Sequence, residues 1–135
     1  MSKNNDWILI YYNNLNGVMS VDVKIELEGG DMVAYLNGEI DHHSAAKIRN
    51  DIDIRVEGAH PELLILDFTN VSFMDSSGIG LVMGRYKLMK DIGGCLKITN
   101  PSPQIKKVMS LAGIDRLAVI ERIRQKRRSD FFDKK

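Results

Sequence analysis

Residues 73–85 read FMDSSGIGLVMGR, and this stretch determines how the rest of the sequence is interpreted. Just upstream, the apolar run Leu63 to Phe68 is typical of a buried parallel strand. From Ile79 onward the apolar residues recur at helical spacing. Ser76 and Ser77 are therefore predicted to lie at or just before the N-terminus of a helix. The unpaired backbone N–H groups and the helix dipole at such a position favour a phosphate group.

Together with a second stretch, Gly38 to Ala45 (GEIDHHSA), the serine stretch resembles the STAS domain of the sporulation anti-sigma-factor antagonists. The resemblance extends from about Val21 to about Ile120 and includes GRYK at 84–87 and the later Gly93-Gly94. It implies a small regulator, itself not an enzyme, that binds a protein kinase doubling as an anti-sigma factor and so frees a sigma factor. It also implies that this kinase phosphorylates Ser76 and that a serine phosphatase reverses the modification.

The composition limits the class of protein. A chain of 135 residues with 44% hydrophobic content fits one globular domain with a core, and a formal charge of +1 gives no reason to expect nucleic acid. The single cysteine, Cys95, excludes an internal disulfide and fits a reducing cytoplasm. The apolar run Trp7 to Tyr12 is too short to span a bilayer and lacks the features of a signal peptide. We expect a cytoplasmic domain that is monomeric when free and binds neither membrane nor nucleic acid.

The chain divides into three parts. We expect residues 1–18 to form an N-terminal extension outside the resemblance, residues 19–120 to form the domain that resembles STAS, and residues 121–135 to form a basic helix end or tail. For the extension, an added strand, a disordered segment and an upstream start all stay open, and we favour an appendage without a role in switching. The tail has seven Lys or Arg against three Asp or Glu, which is typical of a solvated end.

The pattern of the domain predicts alternating strands and helices. Two strands, Val21 to Leu27 and Met32 to Leu36, form a hairpin around Gly29-Gly30-Asp31. A helix capped by Asp41 follows, with Ala45, Ile48, Ile52 and Val56 on one face. The remaining predicted elements are a strand Leu63 to Phe68, a helix from about Ser77 to Ile92, a strand Cys95 to Thr99, a helix starting at Ser102-Pro103 with Ile105, Val108, Met109 and Ala112 on one face, and a strand Leu117 to Ile120. This order predicts an α/β fold with a mostly parallel central sheet opened by a β-hairpin.

The helix after the serines has two apolar stripes. The larger stripe, which we assign to the core, contains Ile79, Val82, Met83, Tyr86 and Met89. The smaller stripe contains Leu81, Leu88 and Ile92, and it packs either on a neighbouring helix or on the kinase. The sequence does not decide between these two interpretations.

The serine turn has a predicted role for each polar residue. Ser77 is expected to be the helix N-cap, which leaves Ser76 exposed for phosphorylation. Asp75 is a cap of the same turn, a contact for the kinase or a ligand for the kinase's metal. Gly78 and Gly80 cost helix stability, so they indicate either close approach by another backbone or a nucleotide, or packing against the sheet.

The GEIDHHSA stretch is implied by the resemblance to lie near the phosphorylated serine. Glu39, Asp41 and His42 would then help to form the kinase-binding surface, and Asp41 can cap a helix at the same time. Asp75 and the first turns of the next helix, namely Ser77, Gly78, Gly80 and Leu81, complete the predicted partner-binding set. Adjacent histidines, His42 and His43, do not point to the same side, so no metal site is predicted.

An enzyme is the rival class. A serine at a strand-to-helix turn suggests the hydrolase pattern G-x-S-x-G, but Met74 replaces the first glycine and no histidine follows Ser76. Neither G-x-G-x-x-G nor G-x-x-x-x-G-K-[ST] occurs, although a weak nucleotide contact without turnover stays open. We predict no catalytic residue and no cofactor. Within the binding class, the alternative is a STAS module of another pathway, such as general stress signalling or a lipid-transport subunit.

Overall fold

The computed structural model describes residues 23–123. In chain order its elements are strand β1 (Val23–Glu28), strand β2 (Asp31–Ile40), helix α1 (His42–Ala59), strand β3 (Leu63–Met74), helix α2 (Ser76–Asp91), strand β4 (Cys95–Thr99), helix α3 (Pro103–Leu111), a 3-10 turn (Ile114–Arg116) and strand β5 (Val119–Glu121). The helices of this range are too short or too polar to cross a membrane.

The five strands form one sheet in the order β1-β2-β3-β4-β5. Strand β1 is antiparallel to β2, and each later pair is parallel. Each parallel connection contains one helix and leads to the adjacent strand, so right-handed crossovers place all three helices on the same face of the sheet. The predicted α/β fold with a parallel sheet opened by a hairpin is confirmed.

The hydrophobic core lies between this face of the sheet and the helices. Alternate residues of the central strands point into it and are buried, namely Met32, Ala34, Leu36, Leu64, Leu66, Phe68, Leu96 and Ile98. Helix α1 contributes the face predicted for it, with Ala45, Ile48, Ile52 and Val56 all buried. One continuous core therefore supports every element around the serine turn.

Strands β2 and β3 are longer than the sequence predicts. We expected them to end at Leu36 and Phe68, but they continue to Ile40 and Met74. The added residues include poor strand formers, and the pairing of β2 with β3 has two register shifts in this part. Gly38, which lies at one of these shifts, has a φ of 86°. The extension carries the ends of both strands to the starts of α1 and α2.

A buried carboxylate joins the strand ends at this side of the sheet. Asp67 is only 5% exposed and accepts hydrogen bonds from Thr99 Oγ1 at 2.7 Å and Asn100 Nδ2 at 3.1 Å. Asn100 Oδ1 in turn accepts the backbone N–H of Ile123 at 2.7 Å. The side chains thus connect β3, β4 and the chain after β5, a network for which the sequence pattern contains no signal.

The last elements differ in detail from the prediction. Helix α3 begins at Ser102-Pro103 as predicted, with Ser102 as its N-cap. Val108 is 41% exposed, however, because this nine-residue helix buries only the i, i+4 pair Ile105 and Met109. The final strand is Val119–Glu121 rather than Leu117 to Ile120. It follows a 3-10 turn in which Ile114 supplies the buried side chain.

Several predictions concern parts of the chain outside residues 23–123. These are the N-terminal extension, the start of the first strand at Val21 and most of the basic tail. They stay predictions.

Candidate functional site

Two helix N-termini meet at one corner of the sheet. Ile40 of β2 and Met74 of β3 are register partners at the carboxyl ends of two parallel strands. The residues that follow them, Asp41 and Asp75, are the N-caps of α1 and α2. The positive ends of two helix dipoles and two carboxylates therefore lie side by side at this corner.

Asp41 is a complete helix cap, as predicted. Its Oδ1 accepts the backbone N–H groups of His43 and Ser44, each at 3.0 Å, and Ser44 Oγ accepts the N–H of Asp41 at 2.9 Å. The hydrogen bond from the Ser44 backbone is the main cause that lowers the pKa of Asp41 below its usual value. Asp41 therefore holds the start of α1 as a carboxylate.

The cap of α2 is Asp75, not Ser77 as the sequence suggested. Asp75 Oδ1 accepts the backbone N–H of Ser77 at 2.8 Å. A carboxylate accepts such a bond more strongly than a hydroxyl, and it neutralises part of the dipole, so the cap lies two positions earlier than predicted and α2 starts at Ser76. The cap interpretation of Asp75 is confirmed.

The two serines have different surroundings. Ser76 is exposed at the first position of α2, whereas Ser77 is half-buried and faces α1. Within residues 23–123 no group forms a hydrogen bond with the Ser76 hydroxyl. Of the two hydroxyls, that of Ser76 is the accessible one.

A groove of about 390 Å³ separates the first turns of α1 and α2. Four of the predicted partner-binding residues line it, together with three residues of α1 that sequence reasoning did not select. The predicted residues are His42, Ser77, Gly80 and Leu81, and the additional ones are Ala45, Ala46 and Arg49. The methyl group of Ala46 and the lack of a side chain at Gly80 leave this space open, and His42 and Arg49 are exposed. The sequence does contain a signal for Ala46 and Arg49, because they follow His42 at the i+4 and i+7 positions of the same helix face.

The two glycines in the first turns of α2, Gly78 and Gly80, differ in whether the structure has room for a side chain at their positions. A Cβ on Gly78 would collide with the Met74 side chain and lie 3.4 Å from Ile40 Cγ2, so this glycine allows α2 to pack against the strand ends. A Cβ on Gly80 would meet nothing within 4 Å. Gly78 therefore fits the packing interpretation, whereas Gly80 is exposed and available for close approach.

Leu81, which belongs to the predicted partner-binding set, is buried. Its side chain is 4% exposed and forms part of the core and the groove floor, so it offers little area to a partner. The rest of the smaller stripe, Leu88 and Ile92, is partly buried and packs against the core. Both stripes of α2 therefore pack against the core, which favours the intramolecular interpretation of the smaller stripe.

Arg85 is a residue whose burial the sequence did not reveal. It is 5% exposed, and its Nε lies 2.9 Å from Asp53 Oδ1 of α1. The two atoms are not aligned as a hydrogen bond, and Arg85 Nη1 is also buried without a hydrogen-bond partner in the described range. Burial lowers the pKa of Arg85 and raises the pKa of Asp53, and the mutual attraction of the pair opposes both shifts. The pair joins α1 to α2 below the groove.

The histidines do not form a metal site in the part of the chain described here. His42 and His43 are both exposed, with ring centroids 5.6 Å apart in an edge arrangement. Across residues 23–123, no group of three or more His, Cys, Asp or Glu side chains is arranged to hold a metal ion. Of the remaining predicted residues, Glu39 is exposed and precedes the corner on β2.

The site thus consists of an exposed serine at a capped helix start, beside a second capped helix, in a small α/β domain whose mostly parallel sheet carries its helices on one face. The chain belongs to the STAS domain family, whose pattern it matches over residues 22–129. The resemblance drawn from the two sequence stretches is confirmed.

Named relatives agree with this membership. The anti-sigma F factor antagonist of Paenibacillus polymyxa is 30% identical over 102 residues, which cover 76% of this chain and 87% of the relative. The anti-sigma-B factor antagonist of Bacillus subtilis is 31% identical over 97 residues, 71% of this chain and 86% of the relative.

Solved structures of the Bacillus anti-sigma factor antagonist SpoIIAA have the same fold. Its unphosphorylated form is similar at a TM-score of 0.65 and 30% identity, covering 82% of this chain and 93% of that one. Its phosphorylated form is similar at a TM-score of 0.61 and 32% identity, covering 82% and 96%.

Proposed function

We propose that this protein is an anti-sigma-factor antagonist. It binds an anti-sigma factor that is also a serine kinase, frees a sigma factor, and is switched off by phosphorylation of Ser76. The observation that carries this proposal is the exposed Ser76 hydroxyl at the start of α2, in a chain whose named relatives are antagonists of anti-sigma factors. The protein acts in the cytoplasm as a regulator rather than as an enzyme.

The modification is a transfer of the γ-phosphoryl group of ATP to Ser76 Oγ, with loss of the hydroxyl proton and release of ADP. A serine phosphatase hydrolyses the ester and returns serine and inorganic phosphate. Exposure favours Ser76 over Ser77, because Ser77 is half-buried and faces the groove. A kinase active site has to surround its acceptor hydroxyl, and only the exposed serine permits this without opening α2.

The partner contacts the corner and the groove. Exposed or half-buried side chains available there are Glu39, Asp41, His42, Asp75 and Ser77, with Gly80 admitting close approach. Gly78 and Leu81 shape the surface from below, because both are buried. The proposed surface is thus narrower than the residue set predicted from the sequence.

A second pathway has specific support. The anti-sigma-B factor antagonist of Bacillus subtilis is as similar to this chain as the anti-sigma F factor antagonist of Paenibacillus polymyxa, at 31% and 30% identity, although the anti-sigma F factor antagonist of Lysinibacillus sphaericus reaches 37% over 83 residues. Parallel binding measurements with purified anti-sigma F and anti-sigma-B factors separate sporulation from general stress signalling. We expect tighter binding to the anti-sigma F factor, because the GEIDHHSA and GRYK stretches resemble the sporulation type.

Mass spectrometry after incubation with the anti-sigma F factor of the same organism and ATP tests the switch. We expect one phosphate, on Ser76, in the wild-type chain and in Ser77→Ala, and none in Ser76→Ala. Ser77→Ala is the matched control because it removes the neighbouring hydroxyl. Phosphate on Ser77 with Ser76 unmodified, or no phosphate at all, would overturn the assignment.

A further inference from the structure

The extended ends of β2 and β3 form a two-stranded ribbon beyond the rest of the sheet. Strand β4 pairs with β3 only as far as Asp67↔Thr99, whereas β2 and β3 remain paired to Ile40↔Met74. Residues 37–40 and 70–74 therefore project past the end of β4. The ribbon connects directly to the caps of α1 and α2.

Phe73 lies on the outer side of this ribbon, opposite Glu39. The two residues are register partners, and both are exposed. Their neighbours Ile40 and Met74 are buried toward the helices, and successive side chains of a strand point to opposite faces. Phe73 and Glu39 thus share the face of the ribbon that points away from α1 and α2.

The position of Phe73 is what distinguishes it from other exposed apolar residues. Single exposed apolar side chains are common, and an aromatic residue suits a strand. Phe73, however, is 51% exposed, does not belong to the core cluster, and precedes Ser76 by three residues. The hydrogen bond from Asp75 N–H to the Ile40 carbonyl fixes the intervening backbone, so the ring has a defined position relative to Ser76.

The charges around Phe73 indicate the chemistry of its partner. Glu39 lies beside the ring on the ribbon, and Asp41 and Asp75 follow at the ends of the two strands. A rigid aromatic side chain with a carboxylate beside it complements an apolar pocket bordered by lysine or arginine. On the basis of the proposed function, we infer that Phe73 is an apolar anchor for the anti-sigma factor kinase, and that Glu39 adds electrostatic selectivity for a basic rim on that partner.

Binding of the ADP-loaded anti-sigma F factor of the same organism, measured by calorimetry, tests this inference. Phe73→Thr removes the ring and keeps a β-branched strand former, so we expect about tenfold weaker binding or more, with an unchanged melting temperature. Leu27→Thr is the matched control, because Leu27 is also a strand residue that is 51% exposed. It lies on β1 and pairs with Met32 at the start of β2, far along the strand from the ribbon. We expect Leu27→Thr to bind like the wild type.

Glu39→Gln tests the electrostatic part. It should weaken binding at low salt and reduce the dependence of the dissociation constant on salt concentration, because one attractive charge is lost. Equal affinity of Phe73→Thr and the wild type, or an equal loss in Leu27→Thr, would overturn the role of Phe73. An unchanged salt dependence in Glu39→Gln would overturn the selectivity. If the wild-type chain itself does not bind, the proposed function fails first and this inference with it.

Discussion

The backbone N–H of Asp75 donates a hydrogen bond of 3.1 Å to the carbonyl of Ile40, and so ties the cap of α2 to the residue before the cap of α1. Because Asp41 follows Ile40, the two capping carboxylates are held in one fixed arrangement. The positions of the two helix starts are therefore coupled through this backbone hydrogen bond. This coupling makes the corner a structural unit on which both the stability and the proposed switching of the protein depend.

The caps predict unequal effects of mutating the neighbouring polar residues of α2. Asp75→Ala removes the acceptor of the Ser77 N–H and should lower the free energy of unfolding by about 1 kcal/mol. Ser77→Ala should change it by less than about 0.5 kcal/mol, because the Ser77 hydroxyl is not the cap. Urea unfolding of both variants is the measurement. A larger loss in Ser77→Ala than in Asp75→Ala would contradict the assignment of the cap.

The glycines of α2 provide a matched pair with opposite expected results. Gly78→Ala should destabilise the protein by about 1–3 kcal/mol, because the added methyl group forces the Met74 side chain to move. Gly80→Ala should stabilise it by about 0.5–1 kcal/mol, since alanine is the better helix former and the space is open. If the groove receives the partner, Gly80→Ala should bind the anti-sigma factor less tightly despite its higher stability. Equal stability of the two variants would show that Gly78 is not needed for packing.

The sequence predicted the order and type of the elements because their apolar periodicities are strong. It predicted Asp41 as a cap and Ser102-Pro103 as a helix start for a local reason, since a cap depends on residues within one turn. Strand β4 agrees residue for residue. The lengths of β2 and β3 could not be obtained in this way, because their extension depends on mutual pairing through Asn37 and Asn70, which are poor strand formers on their own.

Side-chain burial in α2 could not be predicted because it depends on tertiary packing. Arg85 reads as a surface residue, yet it is buried against Asp53 of a helix more than thirty residues earlier in the chain. The burial of Leu81 depends on the packing of α2 in the domain, which the sequence does not show. The prediction that Ser76 is the phosphorylated serine rests on the resemblance to known antagonists, because a serine at a helix start has no unique chemical role.

The Asp53–Arg85 pair predicts a double-mutant result. Asp53→Leu or Arg85→Met alone should destabilise the protein, because each leaves the other charge without its partner between the helices. The loss should be smaller than the ~3–5 kcal/mol of a fully buried pair, since the Asp53 side chain is 29% exposed. The double variant should recover most of this loss, because both charges are then gone. Denaturant unfolding of all four chains gives the coupling energy, and purely additive losses would mean that the pair does not interact.

The cap of α1 predicts a pH dependence of stability. The pKa of Asp41 is lower in the folded chain than in the unfolded chain, chiefly because of the hydrogen bond from the Ser44 backbone. Its contribution to stability is therefore present above the unfolded pKa and is lost as pH falls through the folded pKa. Asp41→Asn should be less stable than the wild type at pH 7, and the difference should shrink below about pH 4. A difference that stays constant from pH 7 to pH 2.5 in urea unfolding would show that the charge of the cap is unimportant.

Phosphorylation of Ser76 should leave the fold intact. The reason is that two effects on stability oppose each other, because the start of α2 is already capped by Asp75. The phosphate adds about −1.5 to −2 charges at a helix N-terminus, which the dipole favours. The Asp75 carboxylate already accepts the Ser77 N–H there and repels the new charge. Each effect is about 1 kcal/mol, so we expect their sum to change the melting temperature by only a few degrees.

The same opposition can be measured directly with Asp75→Asn. Asparagine also caps a helix but carries no charge, so phosphorylation of Ser76 should stabilise this variant more than it stabilises the wild type.

Under the proposed function, we expect release of the partner to arise at the interface. There a phosphate beside Asp75 would meet desolvation and repulsion against a surface shaped for a neutral hydroxyl. A shift from almost fully bound to almost fully free needs about 5.5 kcal/mol. Ser76→Asp should therefore lose stable binding, and Ser76→Ala should stay bound when ATP is added. Equal binding of Ser76→Asp and Ser76→Ala, measured by calorimetry, would show that charge at this position does not control release.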